Sequence, residues 1–209
     1  MEQNTAFFAQ QLAICLNQFA SNRTNAVLKL LENESGTDEI VANRKYPDPP
    51  LRFNRLPLRT YYHYHDNTAG PEIDYGHFHI FISDAKQAQW AHLTGLAIDR
   101  SGQPTNWFCV NHWVTGEQWH DAMQLITLLE SVELESQTSP VAQWLLSLLL
   151  LYRAEIEHLL LERDHNILQW AHIAQTPIEQ ILNDKSKYLI NYRSINLLEK
   201  MQNALSIDE

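Results

Sequence analysis

Arg59-Thr60-Tyr61-Tyr62-His63-Tyr64-His65 and Tyr75-Gly76-His77-Phe78-His79-Ile80-Phe81-Ile82 are the two stretches on which the fold turns. Both are rich in aromatic and β-branched residues, which suit a pleated, half-buried surface. The segment between them, Asp66 to Asp74, is polar and carries Gly70-Pro71, as a loop between strands should. Working outward, His92 to Ile98 reads as a third strand, Asp99-Arg100-Ser101-Gly102 as a turn and Thr105 to Asn111 as a fourth strand. The expectation is an antiparallel meander over 59–65, 75–82, 91–98 and 105–111, with one helical turn across Ala85 to Gln89.

The flanks differ in period. Phe8, Leu12, Cys15, Leu16 and Phe19 recur at helical spacing, so residues 5–33 read as helix with a break at Ser21-Asn22. Residues 34–58 carry Pro47, Pro49, Pro50 and Pro57 and read as an extended connection with room for a short strand. Beyond the meander the chain turns helical again. Thr115 is expected to cap a helix through Val132, and Ser139-Pro140 to start one that runs to about Arg163. Thr176-Pro177-Ile178-Glu179 has the form of a capping box, and residues 186–205 add one or two more helices. The fold class is therefore α+β, a small antiparallel β-meander packed against N-terminal and C-terminal helices. A single domain over 1–209 is expected, with a helical arm and extended connection (1–58), a His-rich sheet (59–114) and a helical part (115–209).

Composition narrows the function. The chain has 209 residues, 44% of them apolar, so a substantial core can form. Its formal charge of −10 leaves no basic surplus to displace the counterions of DNA or RNA, so no nucleic-acid partner is expected. Cys15 and Cys109 are too few for a disulfide scaffold. The N-terminus lacks a basic region followed by a long apolar one. The most apolar run, Trp144 to Tyr152, is nine residues, far short of the roughly 20 that span a bilayer. A cytoplasmic location without a membrane partner follows as the expectation, with a small molecule or a protein as the remaining partner classes.

The histidines carry the chemistry. His63/His65 and His77/His79 are two His-x-His pairs, and residues two apart on a strand point to one face. If the two strands pair directly, all four imidazoles share one surface while Phe78, Ile80 and Ile82 form an apolar row on the other. Imidazole suits Zn, Fe, Ni or Cu, so His63, His65, His77 and His79 are the candidate ligands of a divalent transition metal. Glu72 or Asp74 can add a carboxylate from the loop, and His92 or His112 can join if pairing parity puts them on the same face. Tyr61 and Tyr75 fall on the histidine face as outer donors. No catalytic residue can be assigned, and whether the chain is an enzyme stays open. The competing reading is a non-enzymatic ligand-binding or protein-interaction domain whose histidines are stacked, hydrogen-bonded structural residues. Trp90, Trp107, Trp113 and Trp119 read as packing, or as an aromatic wall of a pocket. His120, His158, His165 and His172 read as structural or exposed.

Together, Tyr61-Tyr62-His63-Tyr64-His65, Gly76-His77-Phe78-His79, His92-Leu93-Thr94-Gly95-Leu96-Ala97-Ile98-Asp99 and Asn111-His112-Trp113-Val114-Thr115-Gly116 resemble a family of uncharacterised bacterial proteins of this size, a domain of unknown function. The resemblance implies no activity. The His-x-His strands are also similar in chemistry to those of cupins, but no Glu follows His79 closely and the strands are too few for a barrel. Phosphate-binding glycine loops, His-Glu-x-x-His, Cys-x-x-Cys and Gly-x-Ser-x-Gly are absent from the sequence.

Overall fold

The computed structural model describes residues 5–32, 41–64, 75–84 and 89–206. In chain order the elements are α1 (Thr5–Ser21), α2 (Ala26–Leu31), β1 (Tyr46–Arg52), β2 (Leu58–Tyr64), β3 (Gly76–Asp84), β4 (Gln89–Ile98) and β5 (Pro104–Val110). Then follow α3 (His112–Thr115), α4 (Ala122–Glu130), α5 (Pro140–Leu151), α6 (Arg153–Ala174), α7 (Ile178–Leu182), β6 (Leu189–Ser194) and α8 (Leu197–Ser206). The strands form one antiparallel sheet in the order β1-β2-β3-β4-β5-β6. The α+β class, the meander and the helices at both ends agree with the sequence.

The four expected strands are present within a few residues. The break near Ser21-Asn22 is real: α1 stops at Ser21, and Asn25 caps α2 by accepting from the Leu28 amide. The connection over 34–58 does contain a strand, β1, despite its prolines. It lies at the sheet edge, where missing N–H groups leave no ladder bond unmade. The opposite edge corrects the sequence reading. Residues 189–194 are not helical but form β6, which pairs with β5 and leaves only α8 as helix in that region. Short edge strands with a weak alternation are hard to tell from helix by period alone.

The helix from Thr115 to Val132 is also corrected. Gly116 adopts a left-handed conformation (φ 67°) that ends the four-residue α3, and Asp121 starts α4 through a capping box with Gln124. The run expected to reach Arg163 divides at Tyr152 into α5 and the longer α6. The Ser139 cap and Pro140 at the first turn of α5 are as expected, whereas Thr176 does not cap α7. The helical turn expected at Ala85 to Gln89 lies mostly outside the described residues, and Gln89 itself begins β4.

The sheet has two unlike faces. Helix α5 is buried along almost its whole length, and Trp144 packs its ring 6.0 Å from that of Phe78. Leu58, Tyr62, Phe78, Ile80, Ile82, Leu96, Ile98, Trp107 and Cys109 join the same apolar core. The expected row of Phe78, Ile80 and Ile82 is thus fully buried against helices. Burial of each such side chain contributes on the order of 1.5–3 kcal/mol. The other face carries the histidines. Among the described residues no helix is long and apolar enough to cross a membrane.

Candidate metal centre

Strands β2 and β3 pair without interruption from Leu58↔Ile82 to Tyr64↔Gly76, which sets Tyr61 opposite His79 and His63 opposite His77. Since the pleat alternates, His63, His77, His79 and Tyr61 share one face. Gly76 is required here because a Cβ would sit 2.1 Å from the Tyr62 hydroxyl oxygen and 2.8 Å from the His63 carbonyl oxygen. On the helix side, the Thr60 hydroxyl donates to the His79 carbonyl at 2.8 Å and ties the two strands at the level of the site.

The imidazoles converge. His63 Nε2 lies 2.6 Å from His77 Nε2, and His77 Nε2 lies 3.0 Å from His79 Nε2. One ring nitrogen from each of the three lies within 4.8 Å of the others, so this group can hold a metal ion. A nitrogen of neutral imidazole has one in-plane position, which carries either a proton or a lone pair. His77 Nε2 therefore serves two close nitrogens only by bifurcation, whereas one cation at the common focus accepts all three lone pairs. A tetrahedral ion with bonds of about 2.0–2.1 Å would space its nitrogens about 3.3 Å apart, so the two close pairs need open by only some tenths of an ångström.

His92 reaches this face through a β-bulge. Strand β3 pairs Ile80 with Thr94 but Phe81 with His92, so Leu93 is the extra residue on β4. In unbroken register His92 would oppose Ile82 and point into the helices. The bulge sends Leu93 into the core instead and sets His92 Nε2 2.9 Å from His79 Nδ1. If His79 Nε2 offers its lone pair to an ion, its Nδ1–H donates to His92, which fixes both tautomers.

Electrostatics keep His79 and His92 neutral. Burial holds the His79 pKa well below its usual value, helped by repulsion from His77, His92, His63 and Lys45. Burial, then the nearby Arg163 and His77, lowers His92 to about 3. Neutral imidazole is the metal-binding form. Tyr61 packs 5.2 Å from His79 and 5.9 Å from His63, and burial is the main cause that pushes its hydroxyl up to about 12. It is a neutral wall of the site at ordinary pH.

Aromatic rings complete the surroundings. Phe108 meets His77 edge-on at 5.0 Å between centroids, and Phe81 lies 6.2 Å from His79 and 5.4 Å from His92. Phe108 attains its position by lying over Gly95, where a Cβ would come 2.1 Å from its ring. Sequence reasoning missed Phe108, Gly95 and the bulge. A Gly inside an otherwise apolar strand was the available signal, since it marks close approach or a kink.

The remaining candidates fall elsewhere. His112 begins α3 and lies with His92, His120, Glu117, Trp119 and Arg163 around a narrow recess, outside the converging group. Arg163 braces that recess by donating to the His120 carbonyl at 2.8 Å, with its guanidinium 4.2 Å from the centre of the Trp119 ring. His65, Glu72 and Asp74 lie outside the described residues. Tyr75 stacks on Tyr64 at 4.7 Å instead of on the histidines. Cys109 faces the core, where burial pushes its thiol up to about 12, so it is no ready nucleophile.

The sheet-and-helix fold with a histidine cluster on the face opposite the core defines an α+β protein with a candidate metal centre. This chain belongs to the family described as Domain of unknown function (DUF6969), which matches residues 6–195. No curated protein and no solved structure matches it.

Proposed function

We propose that this protein binds one divalent transition metal through His63, His77 and His79, with His92 orienting His79 from behind. The observation that carries the reading is the convergence of the Nε2 atoms of these three imidazoles, at 2.6 and 3.0 Å between neighbours. An all-imidazole set suits Zn, Cu, Ni or Fe, and disfavours Mg and Ca, which require oxygen ligands. Three protein ligands leave a position open, as in sites where a metal polarises a small substrate or activates water, so a metalloenzyme acting on a small molecule is the activity this geometry supports best.

Elemental analysis of protein purified without a histidine tag tests the reading, together with melting curves with and without chelator. About one equivalent of metal and a melting point lowered by chelator are expected, because a ligand bound to the folded state alone stabilises it by mass action. If the histidines are merely stacked among Tyr61, Phe81 and Phe108, the protein carries no metal, takes up none when it is added, and melts identically in both conditions.

A further inference from the structure

We propose that the outer face of α6 docks a second copy of this chain, forming a closed two-fold dimer of antiparallel α6 helices. The inference stands apart from the metal centre. Helix α6 is apolar on two sides. One side, with Ile156, Leu159, Leu160, Ile167 and Ala171, is buried in the protein. The other carries Ala154, His158, Leu161, His165, Leu168 and His172, all exposed. Leu161 and Leu168 are 46% and 55% exposed. The steps between these residues alternate between four and three, the spacing of a coiled-coil seam. At about 1.5 Å of rise per residue the seam runs about 27 Å. A surface helix needs one apolar stripe to face its own core, so a second regular stripe is left over. None of its three imidazoles has a side-chain partner among the described residues.

The stripe is its own complement. His158, His165 and His172 hold one seam position, and Ala154, Leu161 and Leu168 hold the other. Turned antiparallel about an axis level with Arg163, Ala154 meets the second copy's His172, His158 meets its Leu168 and Leu161 meets its His165. Every imidazole then lies on an aliphatic side chain. A parallel pair would instead stack each histidine on its own counterpart. The antiparallel contact uses the same patch on both chains and closes at two subunits.

Flanking charges favour a copy over a basic foreign helix. Glu155, Glu157, Glu162 and Asp164 stand beside the seam. Three of them already have bases: Lys200 holds Glu155, Arg193 holds Glu162 at 2.7 Å, and Arg163 holds Asp164 at 2.6 Å. A basic helix would find only Glu157 without an ion pair. The two-fold axis brings the Glu162–Arg193 pair against its own copy, so that acid and base can alternate around it. The net charge of −10 opposes association at long range, but is screened beyond about 8–10 Å at ordinary salt.

The test is sedimentation of the tag-free full chain from micromolar to millimolar concentration at ordinary salt. A monomer–dimer equilibrium is expected. Leu161→Glu should weaken it about tenfold or more, because the loss counts on both sides of the axis. Since Leu161 is exposed in the single chain, the variant should melt as the wild type does; if it melts early, Leu168→Glu, tested alike, decides. Ile14→Glu, at an exposed position on α1, should leave the dimer unchanged. Register is read by mixing Leu161→Cys with His165→Cys protein under mild oxidation, the native Cys15 and Cys109 being buried. Disulfides between the two variants should exceed those within each. A chain that stays monomeric throughout, even one that takes a foreign helix on this face, overturns the proposal. So does a dimer as tight in the glutamate variants as in wild type, growth past two subunits, or disulfides chiefly between like variants.

Discussion

Mild acid should destabilise this protein through His79 and His92. Both are held neutral in the folded state, His79 well below its usual pKa and His92 at about 3. In the unfolded chain both return to about 6.5. The folded pKa lies below the unfolded one, so the unfolded state binds more protons as pH falls. Stability is then fully present above about pH 6.5 and lost progressively below it. A ring that stays neutral in the folded state through this range contributes a slope approaching about 1.36 kcal/mol per pH unit, so between about pH 6.5 and pH 5 His92 alone loses about 2 kcal/mol, and His79 adds to the loss in the same direction. About 2 kcal/mol is already a substantial fraction of a typical total of about 5–15 kcal/mol. Asp99, whose carboxyl is held low against partial burial by hydrogen bonds from Gln103 and Ser101, and Asp184, held low by those from Ser186, lose their contribution only below their ordinary value of 3.8 and do not overlap this window. The assay is urea unfolding of chelator-stripped protein, followed by tryptophan fluorescence, at several values from about pH 8 to pH 5. His92→Phe should make the slope shallower. An unfolding free energy that stays flat from about pH 7 to pH 5 would refute the argument that these rings are buried uncharged.

Other substitutions probe the supports of the site. Gly95→Ala places a methyl group in the ring of Phe108 and should cost about 1–3 kcal/mol in unfolding, despite the better strand propensity of Ala; unchanged stability would mean that Phe108 does not lie over Gly95. His92→Phe removes the acceptor for His79 Nδ1 and should weaken metal binding about 10–100-fold, whereas His92→Gln, which keeps an acceptor, should lose less. Competition titration against a chelating dye measures both, and equal affinities in all three proteins would exclude an orienting role. Ser139→Ala should cost about 1 kcal/mol by freeing the Ala142 amide at the start of α5, read from the urea midpoint.

The histidine face was legible because the strand period is strict. Two His-x-His pairs on adjacent strands place His63, His77 and His79 together whenever β2 and β3 pair in register, and the register is unbroken. The apolar row of Phe78, Ile80 and Ile82 follows from the same parity. What the period cannot reveal is where it is interrupted. The extra residue at Leu93 reverses the facing of His92, and the nearby Gly95 marks an irregularity without fixing where the extra residue falls. The edge strands were obscured for a related reason. Proline in β1 and a weakly alternating β6 are tolerated because each has a partner on one side only, so their sequences are less constrained than those of β3. Helix starts at Ser139-Pro140 were readable from capping chemistry, while the stop at Gly116 and the division at Tyr152 depend on tertiary packing that propensity does not encode.

X-ray absorption at the zinc edge, on tag-free protein loaded with one equivalent of Zn(II), tests the central claim most directly. Three imidazole nitrogens at about 2.0–2.1 Å, with the multiple scattering of the rings, are expected, and that shell should be lost in His77→Ala. A zinc surrounded by oxygen alone, or a spectrum that His77→Ala leaves unchanged, would contradict it.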